Sequence, residues 1–184
     1  MELLTPARRT SNPEVAFIAL GANLGDRAAN LAQAVALLAS HPFIALLQTS
    51  SLYQSEPVGI VDQPLFLNAV AALRTALEPC ELLAYCQELE LRMGRVRDRR
   101  WGPRVLDLDL LLYGERTMQL PSLCLPHPRM WERPFVFEPL WELRDWLTPA
   151  LREKASEVRQ GSGRSAALEC WRQVRWNPWQ VGER

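Results

Sequence analysis

Lysine is nearly absent from this chain of 184 residues: of its 21 basic residues, only Lys154 is not an arginine. Phosphate handling therefore falls to guanidinium groups, whose planar fork suits bidentate contacts. Neither a G-x-x-x-x-G-K loop nor a G-x-G-x-x-G turn is present. Basic and acidic residues balance at 21 each, which leaves no general basic footprint for nucleic acid. There are only two histidines, and the four cysteines (Cys80, Cys86, Cys124, Cys170) form no C-x-x-C pair. A structural zinc site is not expected from such a set, and reduced thiols in a cytosolic protein are. No Ser–His or Cys–His arrangement marks a protein nucleophile. No apolar run reaches the roughly 18 residues of a membrane span. The opening MELLTPARRTSNPE lacks the apolar stretch of a signal peptide. A cytoplasmic protein without membrane contact is the expectation. Its 48% apolar and 23% charged residues suit one soluble domain with a real core.

What is present is organised around residues 100–114, RWGPRVLDLDLLLYG. Strand alternation puts Val105, Asp107, Asp109 and Leu111 on one face and Leu106, Leu108, Leu110 and Leu112 on the other. The leucine face calls for a core behind it. The two aspartates then project together, about 6.5–7 Å apart along the strand. Carboxylates that close repel each other unless a cation compensates. A divalent metal shared with substrate phosphates is the usual solution. A wet amphipathic strand is the plainer alternative, although Asp is depleted from strands. The context favours metal, because Arg92, Arg95, Arg97, Arg99, Arg100 and Arg104 crowd around Trp101. Cations for an anion beside a metal pair suggest a polyphosphate bridging both. Between Arg95 and Arg104 the only acid is Asp98. That segment repels itself when empty, so it is expected to be mobile without ligand and ordered by an anion.

The rest of the chain reads as alternating sheet and helix. A floppy arm over 1–14 precedes a strand at VAFIAL (15–20). In the GANLGD that follows, Asp26 can cap a helix through Leu31, Val35 and Leu38. Asn23 and Gly25 either make a tight turn there or line a substrate site. His41-Pro42 ends the helix, Phe43 to Tyr53 reads as a strand, and SEPVGIVDQP is a loop. Asn68 to Thr75 is a second sheet segment, with Phe66 at its junction. Pro79 can open a helix at its first position, with Leu82, Cys86, Leu89 and Met93 as its buried stripe and Gly94 as its stop. Glu81, Gln87 and Glu88 are read as its solvated sides, and Glu90 as facing the coming loop. After a turn at Gly114, His127, Arg129, Arg133 and Phe135 stand close together among prolines. Phe135 begins a short helix with Val136, Leu140 and Leu143 as core. Beyond Trp146 the pattern is polar, with one helix-like turn at best. Trp171, Trp176 and Trp179 in the final stretch suggest that 146–184 packs back on the domain.

These blocks resemble the 6-hydroxymethyl-7,8-dihydropterin pyrophosphokinase family of the folate pathway, over roughly Val15 to Leu143. GANLGD looks like its first turn, and SLYQSEPVGIVDQPLFLNAV like its pterin-binding loop and strand. RWGPRVLDLDLL, followed by LPHPRMWERPFV, looks like its metal and nucleotide site. The resemblance implies an α+β fold, a ferredoxin-like antiparallel sheet with helices packed on it, as a single domain over 15–145. It implies Mg-dependent transfer of diphosphate from ATP to 6-hydroxymethyl-7,8-dihydropterin, releasing AMP, in tetrahydrofolate synthesis. Asp107 and Asp109 would hold two Mg²⁺. Phe66 and Phe135 would sandwich the pterin and Asn68 would bond its edge, with Ser55, Pro57 and Val58 completing the pocket. Arg95, Arg97, Trp101 and Arg104 would lie on a catalytic loop closing over ATP. Gln87, Glu90, Leu110, His127 and Arg133 would line the nucleotide side. The implied partners are the two small substrates, without nucleic acid or membrane, and the chain would be a monomer. Trp131 departs from the pattern, standing where family members often carry a histidine.

Two readings from other classes compete. A ferredoxin-like sheet bearing arginine and aromatic residues can bind single-stranded RNA, but paired aspartates repel phosphate without metal. A two-metal nucleotide hydrolase would recruit further carboxylates or histidines, and few stand near the pair.

Overall fold

The run VAFIALGA supplies an inner strand of the main sheet, and its alternation feeds two cores at once. Ala16, Ile18, Leu20 and Ala22 enter one buried cluster, while Phe17 enters a second, with Val15 and Ala19 packed against it. The computed structural model describes residues 9–59, 62–94, 102–161 and 169–172. In chain order the strands are β1 (Arg9–Ala22), β2 (Ile44–Thr49), β3 (Leu52–Ser55), β4 (Phe66–Leu77), β5 (Asp107–Tyr113), β6 (Met118–Gln119), β7 (Cys124–Leu125) and β8 (Glu169–Arg172). The α-helices are α1 (Arg27–Ser40), α2 (Pro79–Arg92), α3 (Pro134–Glu142) and α4 (Pro149–Gly161). Among the described residues the main sheet runs β5-β1-β4-β3-β8, β2 also pairs with β4, and every pairing is antiparallel. With β2 and β3 counted as one interrupted strand beside β4, the succession through β5 is β-α-β-β-α-β, the expected ferredoxin-like α+β arrangement.

Helices α1 and α2 cover one face of the sheet. Asp26 caps α1 by accepting the backbone N–H of Ala29 at 3.0 Å, and Leu31, Val35 and Leu38 are buried beneath it. Pro79 opens α2, and Leu82, Cys86 and Leu89 fill its buried stripe. Truncating such a buried leucine to alanine costs about 2–5 kcal/mol. Gly94 stops α2 with φ +90°, a left-handed backbone that glycine adopts without strain. Helices α3 and α4 cover part of the other face through Val136, Phe137, Leu140 and Ala155.

Four expectations change. The strand read over Phe43–Tyr53 is two strands, because the chain breaks at Ser50-Ser51. There the Ser50 hydroxyl, rather than a backbone carbonyl, accepts the Val70 N–H at 2.9 Å. In β5, Ile18 faces Leu110 but Phe17 faces Leu112, which leaves Leu111 as an extra residue. This bulge sends Leu112 into the second core with Leu111, not into the first with Leu106, Leu108 and Leu110. Strand β1 begins at Arg9, inside the segment read as an arm. The stretch after Trp146 is a 13-residue helix, not a single turn. Leu151, Ala155 and Val158 pack at helical spacing, and Arg152 donates to the carbonyls of Arg144 and Asp145 at 3.0 and 3.1 Å. Strand β8 of the tail pairs with β3.

Candidate active site

The sheet face that α3 leaves uncovered is floored by small residues. Ala19 and Gly21 alternate onto it from β1. Gly21 is flanked by Asn68 of β4 on one side and Asp107 of β5 on the other, and Ala19 lies opposite Asp109. A Cβ placed on Gly21 would meet Asn68 Oδ1 at 3.5 Å, and Asp107 Cβ and a Phe66 ring carbon at 3.9 Å. Glycine therefore leaves room at the point where three site residues converge. Above this floor opens a cavity of about 920 Å³. Phe66, Asn68, Ser55 and Val58 line one end, with Phe135 from α3 and Arg133 from its N-cap. Asp107, Asp109, Arg104 and His127 line the other end, with Gln87 and Glu90 of α2.

Each of these side chains has a local reason for its place. Asn68 is buried and donates through Nδ2 to Ser55 Oγ at 2.9 Å and to the Tyr53 carbonyl at 3.3 Å. Glu90 is only 2% exposed, and its Oε1 accepts the backbone N–H of Leu108 at 2.7 Å. That bond pins the strand between the two aspartates, a role the sequence did not disclose. Asp107 forms a close ion pair with Arg104. Asp109 sits deeper, and burial, then the neighbouring Asp107, push its carboxyl above the usual range, against His127, Arg133 and Arg104. Burial lowers the pKa of His127, and Asp109 opposes this. The guanidinium of Arg133 lies 5.8 Å from the centre of the Phe135 ring.

The acidic pair fits a metal on restricted terms. Among the described residues no group of three or more His, Cys, Asp or Glu side chains could form a metal cage. Two carboxylates on one strand instead suit a hard cation that keeps its waters and takes substrate phosphates, as magnesium does. Arg104 already supplies positive charge to Asp107, and the crowding that raises the Asp109 carboxyl is of the kind a cation relieves.

Some expected residues lie elsewhere. Leu110 is buried in the core beneath α1 and α2, and neither it nor Pro57 is among the residues lining the cavity. Arg95, Arg97 and Trp101 lie outside the described residues, as does most of the loop expected to be mobile. Its flanks, Gly94 and Gly102, border the cavity. Trp131 packs in the second core, 6.1 Å from the Phe137 ring centre and under Lys154. Asn23 proves to be a buried junction, bonded to the loop before β4 and to Arg104. The floor residues Ala19 and Gly21 had a signal in the sequence: two small residues alternate on one strand, as the aspartates do on another.

A family model described as 7,8-dihydro-6-hydroxymethylpterin-pyrophosphokinase (HPPK) matches residues 17–145. A Bacillus subtilis protein named 2-amino-4-hydroxy-6-hydroxymethyldihydropteridine pyrophosphokinase is 48% identical over 129 residues, covering 70% of this chain and 77% of its own. A Pseudomonas aeruginosa protein of the same name is 48% identical over 127 residues, covering 69% and 78%. A solved HPPK-DHPS in complex with substrates shares the fold, with a TM-score of 0.62 at 12% identity over 86% of this chain. The match spans 47% of that longer chain. The two relatives and the matched family model agree, and the chain belongs to the 7,8-dihydro-6-hydroxymethylpterin-pyrophosphokinase family of diphosphotransferases.

Proposed function

We propose that this protein transfers the β,γ-diphosphoryl group of ATP to the hydroxymethyl group of 6-hydroxymethyl-7,8-dihydropterin, in tetrahydrofolate synthesis. The hydroxyl oxygen of the pterin attacks the β-phosphorus. The bond from that phosphorus to the oxygen bridging it to the α-phosphorus breaks, AMP leaves, and the hydroxyl proton passes to solvent. One observation carries the reading: Asn68, Gly21 and Asp107 stand abreast on three adjacent strands. Two strand spacings make about 10 Å. A flat bicycle whose edge rests on Asn68 can cross the glycine and end its substituent beside the aspartates.

The chain's own groups then have distinct tasks. Phe66 and Phe135 offer ring faces to the heterocycle, and Asn68, held by Ser55 and the Tyr53 carbonyl, offers its edge an amide oxygen. Ser55 and Val58, with Pro57 beside them, close that end. Asp107 and Asp109 would hold two Mg²⁺, which when bound neutralise phosphate charge. Gln87, Glu90, His127 and Arg133 border the nucleotide side, where the cationic groups favour phosphate. Arg104 stands on a fixed base, while Arg95, Arg97 and Trp101 belong to the segment whose flanks border the cavity. Phosphoryl transfer needs this positioning and charge neutralisation more than a protein nucleophile.

The test is AMP release from ATP with Mg²⁺ and the hydroxymethyl-dihydropterin. Stoichiometric AMP and pterin diphosphate are expected. ADP as the product, or no turnover with this pterin, would defeat the assignment.

A further inference from the structure

Tyr53 touches both walls of the end of the cavity assigned to the heterocycle. It lies opposite Asn68 across β3 and β4, and its carbonyl accepts Asn68 Nδ2 at 3.3 Å. Its hydroxyl donates to Oε1 of Glu142. The other oxygen of that carboxylate accepts the backbone N–H of Ser51 at 2.8 Å. Glu142 is thus committed, through both oxygens, to β3 and to the break that precedes it.

Glu142 is the last residue of α3, and Phe135 is the second. Seven residues make nearly two helical turns, so the two side chains share a face about 10.5 Å apart along the axis. The N-cap residue of α3, Arg133, makes no side-chain capping bond. Beyond its packed core residues, α3 is tied to the sheet at its C-terminal end. A carboxylate fixed there sets the roll and depth of a ring carried at the other end of a nine-residue helix.

We propose that Tyr53 and Glu142 form a positioning pair that sets the gap between Asn68 and Phe135, and with it the affinity for the flat heterocycle. This rests on the function proposed above. Neither residue lines the cavity, so the pair acts through its neighbours and leaves the diphosphoryl step alone.

Tyr53→Phe and Glu142→Gln each remove one partner with little change of shape. In both, the KM and Kd for the pterin should rise about tenfold, as expected from one lost charge-assisted hydrogen bond. The ATP KM and kcat should stay within about twofold, and the double variant should be no worse than Glu142→Gln alone, because that change already breaks the link to Tyr53. A purely structural role predicts a lower Tm with an unmoved pterin KM, and that result in both variants overturns the proposal. Should Glu142→Gln fail to fold, Tyr53→Phe, which lacks one hydroxyl, decides alone. Wild-type protein that releases no AMP defeats the function and this pair together. Active wild type with unmoved pterin affinity in the variants defeats the pair alone.

Discussion

The side-chain oxygen of Asn23 accepts the backbone N–H of Arg104 at 2.7 Å, and the Arg104 carbonyl accepts the backbone N–H of Asn23 at 3.0 Å in return. The Asn23 amide nitrogen donates onward to Gln63 Oε1 at 3.0 Å and to the Pro64 carbonyl at 3.2 Å. One buried amide thereby ties the loop before β4 to the segment before β5. Asn23→Ala strands several polar partners, at a cost of about 1–3 kcal/mol. Tm should drop by about 3–8 °C, and kcat/KM by about 10–100-fold, because both loops lose their common anchor. A variant with normal kcat/KM would show that the junction does not matter to the site.

Gly21 offers a cleaner separation of site from scaffold. The contacts a Cβ would make there are ordinary van der Waals distances, the closest at 3.5 Å. Gly21→Ala should fold with unchanged or slightly raised stability, since glycine in a strand costs about 0.5–1 kcal/mol relative to alanine. The added methyl takes the space above the floor, so the pterin KM should rise several-fold while Tm holds. An unchanged pterin KM would place the heterocycle elsewhere in the cavity.

Much of this layout was legible in the sequence because it depends on period. The alternation around Asp107 and Asp109 gave their shared face, and the Asp26 cap and the Pro79 start gave α1 and α2. What escaped depends on partners far along the chain. The bulge at Leu111 exists because β1 and β5 change register, which β5 alone does not encode. The burial of Glu90 follows from its bond to Leu108, eighteen residues away. Glu142 reads as an ordinary helix-end acid until Ser51 and Tyr53 meet it. Helix α4 was missed for another reason: its stripe of Leu151, Ala155 and Val158 is thin, and only Ala155 is fully buried.

The two aspartates should be equal in turnover and unequal in stability. Asp107→Asn and Asp109→Asn should each remove nearly all activity, on the order of a thousandfold, as the pair loses its metal. Without ligands, Asp109→Asn relieves a partly buried carboxylate crowded by Asp107 and should keep or raise Tm. Asp107→Asn instead removes the ion-pair partner of Arg104 and should not gain. Thermal melts beside activity assays test this. A large fall in Tm for Asp109→Asn would contradict the charge crowding.

The pH response of the ligand-free protein follows from two shifts of opposite sign. The carboxyl of Asp109 titrates above its ordinary range, so just above that range the unfolded chain has released a proton the folded chain still holds. Its contribution to stability is therefore largest in acid and is lost as pH rises through the raised value. His127 titrates below its ordinary 6.5, so its contribution is present above 6.5 and is lost as pH falls beneath it. Asp109→Asn removes the first effect and the charge that supports a protonated His127. The variant should lose stability more steeply than wild type between pH 7 and 5, as read by denaturant midpoints. Magnesium reverses the preference at Asp109, because a cation needs the ionised carboxylate and competes with the proton. The acid limb of kcat/KM should then move to lower pH as Mg²⁺ is raised from limiting to saturating. An acid limb that ignores Mg²⁺ would mean that Asp109 is not where metal and proton compete.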